Sequence, residues 1–596
     1  MRFSLPAFAQ WRSGAFAAFN RFPWNILCGI TGAVCLILLI HTEHNPWFQG
    51  QCARLAMAAA IGMPLFFSLR MVRERIEALT RWPIEMLGVV LLALWIIVQP
   101  SRPSDAPGII WIRWLLLLAA LHFVVAVSPY VRPGQRLGFW QFNRRLFLRF
   151  CLATLYTGVL TAGFELALLS ADKLFELKLS NAYGDLFFLM IGVFHPIFFL
   201  AGVPTDFHAL DEETEYPRGL KAFTQFALAP LVAVYTAILY AYAAKIIITR
   251  NWPHGWVALP VLLLSGIGIL GFLLLYPLRT RPKQQWAVWF TRNFPCALAP
   301  LSILLLLSVQ LRIRQYGVTE ERYVGIVAAL WIFGWALVFI FRRNAGIRWI
   351  PSSLAIIALL ATFGPVSAGA ISRASQLKRV EHMLQAHGLW QDNHAKPAAA
   401  TMELSKAAET DLESTLRYLI QTHGGKSIHG IFDPIVSHLD WKNLNGWQGS
   451  HEILNDLRIA THNYGVVAAS VSLISIDRDR AGVLNIEGFR NLCQIQLFET
   501  SEGDWRPMTC NGVAIANEDG VLKLAVRDES TPQPLQLDTL LKALPSNDTN
   551  SLPADKLTLN FRRGPQEFRI VFDHLSFRRD AERFRVVSCQ LYLMEK

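Results

Sequence analysis

The sequence predicts a polytopic α-helical membrane protein of about eleven transmembrane helices with a C-terminal soluble α+β domain. Three observations predict it. Residues 1–370 are crowded with Leu, Ile, Val, Phe and Trp, in runs approaching the ~20 residues that cross ~30 Å of hydrocarbon. Charged residues make up 17% and hydrophobic residues 53% of the chain, against roughly 25% charged in a globular protein. After residue 370 the continuous runs give way to helical spacing and then to alternation. The expected division is a transmembrane helical domain over 1–370, an amphipathic helix and linker over 371–400, and a soluble α+β domain over 401–596, helices first and antiparallel strands after.

Arg2, Arg12 and Arg21 precede a first apolar run from Trp24 to Ile40. This start is laid out like a signal peptide, but no small-x-small cleavage site follows, so it reads as an uncleaved first span. Candidate spans lie at 24–41, 53–72, 83–99, 109–128, 146–169, 186–203, 222–248, 256–277, 294–311, 323–341 and 349–368, with 83–99 and 186–203 the shortest. The aromatic and basic stretch Phe139–Arg149 is expected to lie along the interface, and 171–185 to form a short amphipathic helix at the outer surface.

Loop arginines orient the helices. Arg70, Arg73, Arg75 and Arg81, then Arg132, Arg136, Arg144, Arg145 and Arg149, then Arg279, Arg281, Lys283 and Arg292, then Arg342, Arg343 and Arg348, fall in alternate loops, as does the N-terminus. The rule places the N-terminus in the cytoplasm of a bacterial inner membrane, and an odd number of spans then places 371–596 in the periplasm. The net charge of +12 is largely this loop arginine, which meets anionic lipid. The partners expected are therefore the lipid bilayer and an envelope protein on 371–596, not nucleic acid.

Beyond Gly369, Leu377, Val380, Met383 and Leu384 recur at helical spacing, so 371–389 reads as an amphipathic helix leaving the membrane. A linker at Lys396 and a second helix over 402–422 follow, then short helices to about Ala460. Strands are expected at 466–476, 493–498, 521–526, 557–561, 568–577 and 584–593. Of Cys493, Cys510 and Cys589, two could pair outside the cytoplasm; which two stays open.

Three stretches stand out as motifs. They are Arg21-Phe22-Pro23; the hairpin carrying Tyr235, Tyr240, Tyr242 and Lys245, Trp252-Pro253-His254-Gly255-Trp256 and Leu275-Tyr276-Pro277; and Leu416-Arg417-Tyr418-Leu419-Ile420 with His423-Gly424. In their order and spacing the chain resembles an uncharacterised family of bacterial polytopic inner-membrane proteins, known as a domain of unknown function. The resemblance implies the membrane architecture and carries no activity, cofactor or catalytic residue with it.

Ionisable groups inside spans are costly, ~2.5–3.5 kcal/mol for Asp, Lys or Arg at a helix centre, so each needs a reason. Glu165, His195 and Lys245 lie on consecutive spans, with Tyr235 and Tyr242 on one helix face below Lys245. Together they form a candidate intramembrane polar site, with His195 as the group that titrates near neutrality. The weightier reading keeps them apart: Lys245 snorkels, Glu165 is hydrated, and His195 bonds a carbonyl freed by Pro196. Trp252 and Trp256 read as interfacial anchors.

Gly266, Gly268 and Gly271 favour close helix packing over a ligand cleft. The acidic run Asp206, Asp211, Glu212, Glu213 and Glu215 reads as a solvated loop. His423, His429, His438, His451 and His462 show no metal-ligand spacing, and His423-Gly424 reads as a helix C-terminus with a glycine cap. No nucleophile elbow, dinucleotide loop or kinase signature is present, so no cofactor or catalytic residue is assigned. The function expected is a non-enzymatic envelope role (assembly, sensing or transport support) through the exported domain. The alternatives are a secondary transporter or channel using Glu165, His195 and Lys245, and a membrane-bound transferase acting on lipid-linked substrates.

Overall fold

The structure is a computed structural model describing residues 6–595 apart from short stretches, the longest at 461–471, 477–490, 499–506 and 538–548. The 251–256 turn also lies outside the described residues, and with it Trp252 and Trp256. The described residues form two compact units, Met1–Ala460 and Thr461–Lys596.

Nine helices among the described residues are long and apolar enough to cross a membrane: Pro23–His41, Pro46–Arg75, Ile109–Tyr130, Arg136–Phe175, Ser180–Leu200, Arg218–Thr249, Ala258–Leu278, Gln285–Tyr316 and Glu320–Phe341. Two shorter apolar helices, Glu85–Val98 and Trp349–Thr362, occupy the third and last expected spans. In chain order these helices are called spans one to eleven. The chain is thus a polytopic helical membrane protein. Its outward faces carry the large exposed side chains that lipid solvates, among them Ile97, Val98, Ile247 and Ile248.

Which spans are short differs from the expectation. Span three is short as expected, but span six is 21 residues long and span eleven is the other short one. The reason is local chemistry. Span eleven stops where Phe363 turns extended and Gly364 takes φ +86°, just before Pro365. Span six accommodates Pro196 through a π turn, Met190–Phe194, in which the His195 N–H reaches the Met190 carbonyl. Span seven uses the same device, Thr224–Leu228, ahead of Pro230. A single wide turn lets a helix carry proline without ending at it.

Two further expectations are corrected. Phe139–Arg149 does not lie along the interface; it forms the opening turns of the 40-residue span five, with Phe139, Trp140 and Phe142 buried. Residues 171–185 are not one amphipathic helix. Span five runs on to Phe175, Glu176 takes a left-handed φ of 52°, and a new helix begins at Ser180. The sequence allows this because Phe175 and Leu177 are as apolar as the span itself.

Glycines set the closest approaches. A Cβ on Gly268 would lie 2.0 Å from the Phe294 ring, so span eight meets span nine only because that side chain is missing. Around this contact Phe272, Phe294, Trp335 and Phe339 form the aromatic centre of the bundle. Gly266, two residues earlier, is open, with nothing within 4 Å of an added Cβ.

After span eleven, Ala368–Ala386 buries Val380 and Leu384, and Lys406–His423 buries Leu412, Leu416, Leu419 and Ile420. With Gly446–Asp456 these helices share a hydrophobic core of their own. The second helix starts later than expected, because Met402–Glu403 pairs as a strand with Ile459–Ala460 and Ser405 then caps the helix.

In the second unit Gln566–Arg579 pairs along one edge with Phe584–Glu595, which pairs in turn with Asn491–Phe498. Its other edge is shared: Thr558–Arg563 takes the first half and Ser472–Ile476 the second. A smaller antiparallel sheet runs through Met508–Cys510, Val513–Glu518, Val521–Val526 and Gln533–Pro534. Both sheets feed one core that includes Ile515, Leu524, Ile570, Phe572 and Leu591. Cys493 is disulfide-bonded, and Cys589 is a free thiol that burial pushes up to about 12.

Candidate functional site

Spans nine and ten are joined by the short loop Gly317–Thr319. Gly317 takes φ +70°, a conformation that disfavours side chains, and its open face lets Gln376 approach. Gln376 Nε2 donates to the carbonyls of Tyr316 (2.9 Å) and Val318 (3.0 Å), while Ser375 Oγ accepts from the Val318 N–H. The loop is therefore held by the helix that follows span eleven. Glu320 opens span ten immediately afterwards, where the helix N-terminus favours a carboxylate.

Glu320 is buried, and three side chains from the 371–460 helices close on it. Ser372 Oγ donates to Oε1 at 2.5 Å, His423 Nε2 lies 3.1 Å from the same oxygen, and Tyr418 donates to Oε2. The side chains of Glu320 and His423 are each 4% exposed. His423 faces a carboxylate with Nε2 and so carries a proton there. Burial, and after it the hydrogen bond to Glu320, raises the Tyr418 phenol above its ordinary value. Around this centre Arg379 pairs with Asp411 at 2.5 Å and donates to the Gln315 carbonyl, and the Gly108 N–H bonds the Gln421 carbonyl.

His423 is indeed the last residue of its helix, with Gly424 at φ +82° behind it. What the sequence did not show is that its ring is buried against Glu320. The one available signal was an acid at the first turn of an apolar helix.

The other ends of the spans carry a second polar network. Arg21 holds Glu74 through Nε and Nη2 and also donates to the Val203 and Pro204 carbonyls. Asp206 caps the helix Phe207–Glu212, and the N–H groups of Ala209 and His208 hold its carboxyl below the usual range. Asp211 pairs with Arg75 at 2.6 Å and accepts from Tyr130; Glu213 pairs with Arg144 and Arg145. The acidic run is therefore not a solvated loop but a strap across an arginine face.

The sequence-selected intramembrane residues are placed apart. His195 meets Thr154 Oγ1 at 3.3 Å and the edge of Phe150, both on span five. Glu165 lies eleven residues further along that span, ~16 Å by helical rise. Tyr235 and Lys245 are exposed on span seven and Tyr242 packs against the core, while span seven packs on spans eight and nine. No hydrogen bond or ion pair joins Glu165, His195 and Lys245 among the described residues. Of the histidines named above, His438 and His462 lie outside those residues. Among the described residues no group of three or more His, Cys, Asp or Glu is gathered as metal ligands.

This fold and these networks define a class: a multi-span helical membrane protein with soluble helices fastened to its bundle and a β-sheet unit at its C-terminus. Residues 28–396 match the family described as a domain of unknown function, DUF4153, and the chain belongs to that family. The match contains the span seven–eight hairpin and stops before Leu416–Gly424. The chain is also similar to an uncharacterised protein of Pasteurella multocida (strain Pm70), 25% identical over 354 residues that cover 58% of each chain. The chain thus spans less than two thirds of that relative's length. No solved structure matches it.

Proposed function

We propose that the protein is a bacterial inner-membrane component with a non-enzymatic role in the cell envelope: assembly, sensing or transport support. Its N-terminus lies in the cytoplasm, and residues 371–596 act on the periplasmic side. The observation that carries this reading is the closed joint at Glu320. Both carboxylate oxygens are taken by Tyr418, Ser372 and His423, and the group is shut from solvent. A satisfied buried network of this kind fixes one arrangement of packed elements. It suits a base that presents soluble helices rigidly to a partner.

The orientation is supported by the arginine-rich face at the end of span ten opposite Glu320, under the positive-inside rule. The bonded Cys493 fits an oxidising compartment. Photo-crosslinkers placed across 371–596 in whole cells should trap a protein partner; failure at many exposed positions would count against the role. Reporter fusions at Lys596 that behave as cytoplasmic would overturn the orientation.

A further inference from the structure

Two cavities adjoin at the arginine face of the bundle. The larger, about 560 Å³, lies among spans four, five, eight, ten and eleven and is walled almost wholly by apolar side chains. The smaller, about 310 Å³, is lined by Arg132, Arg136 and Arg348 beside Tyr130 and Gln135. Phe139 and Ile347 line both, so the two share a wall. The larger volume falls within the ~300–1,000 Å³ usual for ligand sites.

The charges are unbalanced. Among the described residues no acid lines either cavity. Arg348 donates to the carbonyls of Tyr130 and Arg132, and Arg136 to that of Asn344 at 3.2 Å. Among the described residues none of the three arginines is paired with a carboxylate. Asp211, the acid beside Tyr130, is held by Arg75. Arg144, on the wall of the apolar cavity, is 8% exposed; its Nη2 is paired with Glu213, and its Nε has no hydrogen-bond partner among the described residues.

We propose that these two cavities form one binding site for an anionic phospholipid. Its phosphate sits among Arg132, Arg136 and Arg348, and an acyl chain fills the apolar cavity beneath Arg144. A basic pocket between transmembrane helices is the chemistry that recognises lipid phosphate, and here an apolar cavity lies next to it. This site is independent of the envelope role proposed above.

The test uses the full chain purified in neutral detergent, with native mass spectrometry counting bound phosphatidylglycerol against phosphatidylcholine. Wild type should retain phosphatidylglycerol in preference, and Arg132→Gln with Arg136→Gln should reduce that preference about fivefold per arginine. Gly266→Phe, which fills the apolar cavity from an open position, should lower phosphatidylglycerol retention with the arginines intact. Unchanged preference in the arginine double variant, or equal retention of both lipids by wild type, overturns the proposal. So does displacement of the lipid by inorganic phosphate alone, which would mark a free-anion site. Should the double variant fail to fold, undiminished retention in folded Gly266→Phe overturns it by itself.

Discussion

Glu320 has three donors from three positions of the soluble helices, so the consequence of removing it depends on what is left behind. Glu320→Ala strands Tyr418, Ser372 and His423 without their acceptor. It is expected to cost about 3 kcal/mol or more, as for breaking a buried pair. Glu320→Gln keeps the shape and one acceptor and should cost about half as much. Denaturant unfolding of the detergent-solubilised protein checks both; equal losses would show that the retained amide acceptor contributes nothing and that the carboxylate charge carries the joint.

Tyr418 gives the site a pH signature. Its folded phenol is raised above 10.0, so the fold favours the neutral form. That contribution is complete below the ordinary value and is lost as pH rises above it, by up to ~1.4 kcal/mol per pH unit. Tyr418→Phe should be less stable at neutral pH, by ~1 kcal/mol, yet show a shallower alkaline decline. Parallel decline of the two proteins above pH 10 would remove Tyr418 from this role. None of this was legible in the sequence, because the partners of Glu320 stand 52 to 103 residues away. Glu165, His195 and Lys245 were legible as costly residues, but helix rotation decides what they meet, and rotation is a tertiary property.

At the scale of elements, the spans were legible because length and apolarity are local. Most strands of the larger sheet were legible because alternation is local as well, whereas Met508–Cys510, Val513–Glu518 and Thr549–Leu552 were not expected. Span limits were less so, since a π turn can carry a helix through His195-Pro196 where composition suggests a short run. The glycines of span eight divide by packing. Gly268→Ala is expected to destabilise the bundle by about 1–3 kcal/mol through overpacking against Phe294, whereas Gly266→Ala should change it by less than about 0.5 kcal/mol. Thermal unfolding of the two variants side by side reads the difference, and equal losses would contradict the observed packing.

The whole molecule comprises two units with separate cores, Met1–Ala460 and Thr461–Lys596. The division falls where helices give way to strands. Two unfolding transitions are expected by calorimetry, since independent cores need not melt together. Glu320→Ala should lower only the transition of the larger unit, and a single transition shifted by that substitution would refute independent melting. The strap over the arginine face also has an order in time. Arg75, Arg144 and Arg145 are made long before Asp211 and Glu213. Those arginines remain unneutralised by their final acidic partners while the first five spans are synthesised. Only when the ribosome has passed Glu213 can these arginines take the acids that turn loose charge into a clasp on the bundle.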